Sequence, residues 1–348
     1  MTDHTTDVGA GVREAPPRGS AFAAGLLPDR RTLTALAVTV AAIIVLPMFL
    51  NALWLRVFIS SAIFTIAASG TAVLYARLGL VSLAQVALVG VGGWVTLRMW
   101  HATHLPFEID MLTAGVVSSL IGVVIGLPAL RMRGLFLALI TLMAAAGFEI
   151  LVTGTQFPNG GTGVLGIAVN SIFMPRPLLA TTDEAMLRYV CVVALIAFGL
   201  IEINRRSKPG RAWALIRKSE ACAMAAGINV AFYKAWGFAL AGFVAGIAGA
   251  LLAATIGVLD ATSFPASESI LLFALTVVGG AYTILGQILA GVLYRVIPAF
   301  FNDIGIDGNI AYVIFGIALV HAIITAPQGI AGQISDVAEM LRKKWGRP

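Results

Sequence analysis

The sequence predicts an all-α polytopic membrane protein of about ten transmembrane helices, and three observations carry that prediction. Hydrophobic residues make up 59% of the 348 and charged residues only 11%, against roughly 45–50% and 25% in soluble globular chains. Apolar stretches close to the ~20 residues that cross a ~30 Å hydrocarbon core recur along the chain. The loops between them alternate in charge. With 23 Lys and Arg and 17 Asp and Glu, the chain has too few charges to coat a soluble fold of this size. That excludes a soluble enzyme, a disordered protein and a disulfide scaffold. Cys191 and Cys222 lie in unlike surroundings, one apolar and one basic, and imply neither a bridge nor a metal cluster.

Residues 1–31 hold Pro16, Pro17 and several Gly without apolar periodicity, and read as a disordered cytoplasmic tail. Arg30 and Arg31 then precede an apolar run from Thr32 to Leu50 that is too long for a signal-peptide core and has no small-residue exit, so a retained first span is expected. Further segments follow at roughly 57–75, 79–97, 111–130, 134–153, 188–203, 235–257, 269–279, 284–301 and 310–326. Together they define a transmembrane domain over 32–326, with 204–234 as a cytoplasmic loop and 327–348 as a cytoplasmic tail.

Lys and Arg are retained on the cytoplasmic side. The 204–234 loop carries Arg205, Arg206, Lys208, Arg211, Arg217, Lys218 and Lys234 against the single acid Glu220. Arg77, Arg131, Arg133 and the C-terminal cluster from Arg342 to Arg347 fall on the same side when both termini are cytoplasmic. The alternate loops carry Glu108 and Asp110, Asp260 and Glu268, or Asp303 and Asp307. Parity then makes 269–279 a short span of its own. The net charge of +6 marks orientation, and no nucleic-acid partner is implied.

Ser82 to Gly93 aligns without gaps with Ser269 to Gly280, six of twelve positions being identical. The two segments run in opposite directions by the charge count, which is the pattern of an inverted-topology repeat with short or Gly-interrupted helices beside the substrate path. Ser82, Gln85, Gly92, Gly93, Ser269, Gly279 and Gly280 are the candidate path residues. Helix packing by small residues, and interhelical bonding by Gln85, are the competing readings. Glu149 and Arg295 lie inside spans, where ionisable groups are functional candidates. A structural pair between them, or with Glu268, is the leading expectation, ahead of substrate contact.

There is no G-x-x-x-x-G-K-[ST] loop and no Gly-x-Ser-x-Gly elbow, so neither nucleotide hydrolysis nor acyl transfer is expected of this chain. His101, His104, Glu108 and Asp110 lack a metal-ligand spacing. In the basic loop, Pro209 and Gly210 break the preceding helix. Arg211 to Ala226 then read as one helix ended by Gly227. Its small, mostly uncharged stretch from Ala221 to Ala226 suits a covering protein, and attraction of the basic loop to anionic lipid is the alternative.

Gly79-Leu-Val-Ser-Leu-Ala-Gln85, Arg131-Met-Arg-Gly-Leu-Phe-Leu-Ala-Leu-Ile-Thr-Leu142, Asn159-Gly-Gly-Thr-Gly163, the loop from Gly210-Arg-Ala212 to Gly227-Ile-Asn229, and Ala241-Gly-Phe-Val-Ala-Gly-Ile-Ala-Gly-Ala-Leu251 together resemble one family, in order, over roughly residues 55–335. It is the LivM-type permease subunit of the branched-chain amino-acid ABC importers. The resemblance implies a multi-pass protein of the bacterial inner membrane that moves branched-chain or related amino acids. It also implies a second, LivH-type permease, two cytoplasmic ATPase subunits that hold ATP and Mg, and a periplasmic binding protein. No cofactor of its own is expected. Gly210, Arg211, Arg217, Glu220, Ala221, Ala225 and Gly227 match the family's ATPase-coupling region. Gly227 follows Glu220 by seven residues, where the wider importer pattern has six. The 33-residue loop that Asn159–Gly163 opens would meet the binding protein. Urea, amides or aromatic acids are alternative substrates, and an ion-coupled secondary transporter is the alternative mechanism.

Overall fold

A computed structural model describes residues 51–130, 132, 134–154, 173–259, 263–305, 307–308, 310–325 and 329–333. The expected first span (32–50), the N-terminal tail, the Asn159–Gly163 loop and most of the C-terminal tail lie outside the described residues. Every regular element among those described is helical. In chain order they are α1 Ala52–Ala72, α2 Gln85–Thr103, α3 Phe107–Gly126, α4 Leu135–Gly154, α5 Asp183–Arg206, α6 Lys208–Lys218, α7 Glu220–Ala225, α8 Val230–Ile256, α9 Ala266–Gly279, α10 Ile284–Asp303 and α11 Ile310–Thr325.

Six of these are long and apolar enough to cross a bilayer: α1 with its continuation to Leu78, α3, α4, α5, α8 and α10. The short span expected at 269–279 is present as α9, whose 14 residues rise about 21 Å and fall short of a ~30 Å core. Several boundaries move outward from those read in the sequence. α5 begins at Asp183 because Thr182 caps it, its hydroxyl accepting from Ala185 N at 3.2 Å. Asp183 in turn ties this end to the start of α1 through Arg56, at 3.3 Å. The segment expected at 79–97 is displaced: its helix begins only at Gln85 and runs on to Thr103.

α1 and α8 form the centre, and both are mostly buried. α8 packs against α3, α2 and α1; α1 packs in addition against α10 and α5; α9 lies against α10 and α11. Such burial between two apolar helices needs small side chains, because lipid is as apolar as Leu and attraction comes from close contact. Gly92 lies against the backbone of Gly246, where a Cβ would come within 2.4 Å of its carbonyl oxygen. Gly249 is as tightly set, with Val89 O at 2.0 Å and Gly93 N at 2.6 Å from such a Cβ. Gly92 and Gly93 therefore face α8 backbone, and their position is that of packing residues. Gly279 makes the same kind of contact with Gly286 at the α9–α10 turn.

Replacing Gly249 with Val should lower the thermal midpoint of the purified protein by several degrees, on the ~1–3 kcal/mol typical of overpacking. Gly199→Ala, at a position with open space around it, should leave the midpoint unchanged in the same fluorescence melt.

Candidate functional site

The chain leaves helical geometry where α1 hands over to α2. α1 continues as a π-helix, Val73–Leu78, and ends on Gly79 at φ +71°, a conformation that costs Gly little. The N–H groups of Gly79 and Leu80 close on Tyr75 O and Leu74 O at 3.1 and 3.0 Å. Leu80 to Ala84 are then non-helical, with Leu80, Ser82 and Ala84 buried. Ser82 therefore belongs to a chain break rather than to a helix.

Irregular backbone at membrane depth is stable only where protein satisfies its polar groups. Leu83 N donates to Thr141 Oγ1 of α4 at 2.9 Å. Val86 N, in the first turn of α2, donates to Ser269 Oγ of α9 at 3.2 Å. Gln85, 2% exposed, sends Nε2 to Ala67 O of α1 at 3.1 Å and to Ala241 O of α8 at 3.2 Å. Gln85 thus binds the two central helices together, and Ser269 caps α2.

The start of α9 is held similarly. Glu149 of α4 accepts from Ala266 N at 2.8 Å, so one helix supports both discontinuities, through Thr141 and Glu149 two turns apart. The expected pair of Glu149 with Arg295 does not form. Glu149 is spent on a helix N-terminus, whose partial positive charge attracts a carboxylate. Arg295 lies over the rings of Phe64 and Tyr294, at 4.5 and 5.1 Å to the centroids. The sequence reading did not single out Thr141 and took Glu149 only as a partner for Arg295; their spacing of eight residues along one helix was the available signal.

The basic segment lies against the π-helical end of α1. The helix expected from Arg211 to Ala226 is two helices, because Ser219 is extended at φ −164° and its hydroxyl faces Cys222 N to start α7. α7 closes on Gly227, at φ +76°. Ile228 N reaches Ala223 O at 3.0 Å and Gly227 N reaches Met224 O at 2.9 Å, the paired bonds of a Schellman ending. Buried Lys234 of α8 pairs with Glu220 at 2.9 Å, and buried Trp213 donates Nε1 to Tyr233 O at 2.8 Å. The helical pair is fixed against α8 by its inner face. Its outer face, with Ala221, Cys222, Met224, Ala225, Ala226 and Gly227, is exposed.

Arg217 connects this surface to the breaks. Its guanidinium donates to Ala76 O, at the end of the π-helix, and to Tyr282 Oη at 2.7 Å. Tyr282 sits in the four-residue turn between α9 and α10, and its own carbonyl accepts from Arg77 at 3.3 Å. Gly280, at φ +115°, opens that turn. Arg217 therefore touches both the segment leading into the α1–α2 break and the segment leaving α9. Gly210 contacts the backbone of Arg205, which fixes the tight passage from α5 to α6. Arg211 is exposed.

Long apolar helices interrupted at protein-satisfied breaks, and joined to an exposed helical surface, are those of a polytopic membrane protein. Residues 53–323 match the family described as branched-chain amino acid transport system / permease component, and the chain belongs to it. It is 28% identical over 289 residues to the high-affinity branched-chain amino acid transport system permease protein LivM of Salmonella typhimurium strain LT2, across 77% of this chain and 67% of that one. It is 27% identical to the LivM protein of Escherichia coli strain K12 over the same shares. No solved structure matches the chain. It is a membrane permease subunit of an ABC importer, the transport component rather than the ATPase.

Thr141→Val should leave Leu83 N–H without its acceptor, at a cost of ~1–3 kcal/mol. Hydrogen exchange read by mass spectrometry should rise over residues 79–86 and stay unchanged in α8.

Proposed function

We propose that this chain is one of two permeases in an importer that receives branched-chain or related amino acids from a periplasmic binding protein and passes them across a bacterial inner membrane. Its sister would be a LivH-type permease. Two cytoplasmic ATPase subunits, which would hold the ATP and Mg, would drive the pair. The substrate class follows the names of the two relatives. The alternation of basic and acidic loops supports cytoplasmic termini, with α6 and α7 on the same side.

The observation that carries the reading is the exposed small-residue face of α7, clamped at its back by the Lys234–Glu220 pair and joined through Arg217 to Ala76 and Tyr282. An ATPase that covers Ala221 and Ala225 and moves on closure would displace α6 and α7 as one body. Arg217 would pass that displacement to the π-helix before Gly79 and to the turn after Gly280. The first leaves α-helical bonding and the second is a turn. Nucleotide and substrate could bias such a two-state element only by binding one state better than the other. Ser82, Gln85 and Ser269 would then shape the wall of the path and keep its breaks in register.

Ten spans with an inverted repeat fit this scheme: α2, α9, α11 and the 32–50 segment complete the six long helices. Support comes from the packing under the exchange of α1 with α8, α2 with α9, α3 with α10 and α4 with α11. α8 lies on α3 as α1 lies on α10, α2 on α3 as α9 on α10, and α2 on α4 as α9 on α11. The residue match of Ser82 with Ser269 does not carry over locally, since the first is in a break and the second in a helix.

Two measurements on the co-expressed complex test the proposal. Ala221→Glu together with Ala225→Glu should abolish co-purification of the ATPases, and unaltered co-purification with normal turnover would sink the docking assignment. Arg217→Ala should keep the ATPases bound while lowering solute carried per ATP hydrolysed about tenfold in proteoliposomes.

A further inference from the structure

We infer that Arg295 and Glu268 form a zwitterion-binding pair in the translocation path, Arg295 for a carboxylate and Glu268 for an ammonium group. The inference rests on the amino-acid importer reading and assigns residues to it.

Arg295 follows the start of α10 at Ile284 by eleven residues, a rise of about 16 Å, which is near the middle of a ~30 Å core. A guanidinium at that depth is costly against lipid and faces protein or a watery path. It stands over two rings, Phe64 and Tyr294, that are themselves 2% and 3% exposed. Its Nε has no hydrogen-bond partner, and no carboxylate lies within ion-pair distance of it among the described residues. Glu149, the acid that would have neutralised it, is held by Ala266 N.

Glu268 stands in the first turn of α9 and accepts the hydroxyl proton of Tyr294. Its other carboxylate oxygen has no bond among the described residues. One tyrosine thus carries the cation on its ring and the anion on its hydroxyl, and the two charges do not meet. A structural ion pair would cancel them in direct contact. Both side chains are half-buried, so the pair opens on the surface that α9 and α10 present. An α-amino acid carries the complementary charges on one carbon. The planar guanidinium fork suits a carboxylate in a two-bond contact that an ammonium cannot reproduce.

The test uses the complete transporter in proteoliposomes, with its binding protein saturated by leucine. Leucine uptake by the wild type checks the importer reading first. Arg295→Gln and Glu268→Gln should then each cut uptake at least tenfold while binding-protein-stimulated ATP hydrolysis stays within twofold, and Arg295→Lys should recover only part of the loss. In a chain with Cys191→Ser and Cys222→Ser, Arg295→Cys should react with a small anionic methanethiosulfonate, and leucine with its binding protein should slow that reaction. Unchanged uptake by Arg295→Gln overturns the inference. So does a complex that fails to assemble with either Gln or Lys at 295, or an assembled Arg295→Cys complex that never reacts. A wild type that carries another solute instead of leucine, with that solute shielding the cysteine, would overturn the amino-acid assignment while supporting Arg295 as part of the path.

Discussion

A peptide N–H in hydrocarbon has no water to turn to, and that constraint organises this protein. The backbone gives up helical bonding between Gly79 and Ala84, in the middle of an apolar region, and each group exposed by the break must be met by protein. Thr141 and Ser269 accept from Leu83 N and Val86 N, while Gln85 sends its amide to carbonyls of α1 and α8. None of these bonds is strong alone, since a typical hydrogen bond contributes ~0.5–1.5 kcal/mol net. Their absence would be expensive, and so α4, α9 and α2 are held in fixed relation by groups that could not otherwise be buried.

The rest of the architecture divides into close-packed and irregular parts on that basis. α1 and α8 touch through Gln85 and pack on their neighbours through glycine, with no long side chains to rearrange between α2 and α8 at Gly92 and Gly249. Close backbone packing of this kind resists continuous deformation. Among the described residues, helical geometry is interrupted at the π-helix with Gly79, at the turn from Gly280 to Thr283 and at the extended Ser219. Arg217 reaches the first two from a helix adjoining the third. On the proposed coupling, motion delivered to α6 and α7 would arrive at these irregular segments and leave the glycine seams intact.

The sequence made much of this legible, and the residues show where it stopped. Composition and span length gave the all-helical membrane class, and charge parity gave the short α9, because both depend on sums over many residues. Pro209, Gly210 and Gly227 marked the limits of the basic helical segment through local chemistry. The division at Ser219 was invisible, since Ser fits a helix interior or a cap and only its neighbours' packing decides. The break at 79–84 was read as helix because Leu80, Val81, Leu83 and Ala84 are as apolar as the helix that follows. Glu149 and Arg295 were paired by charge and depth, whereas a helix N-terminus outcompeted the arginine for the carboxylate. Gln85 and the glycines at 92 and 93 were read as path candidates and lie at helix crossings, because residues at crossings and along a path have the same composition.

The short α9 has a consequence for how the chain is made. At 14 residues it cannot be a stable span by itself, and α10, which follows after a four-residue turn, carries the arginine at 295 to the depth of the hydrocarbon. Neither is a good insertion substrate alone, so the two should enter the membrane together as a hairpin. They arrive late in synthesis, when α4 already stands with Glu149 free to receive the first N–H of α9. The N-terminus of α2, made long before, must wait for Ser269 to complete its cap. Assembly of the two halves is therefore obligately sequential at this point, with the early half left locally unsatisfied until the later one docks.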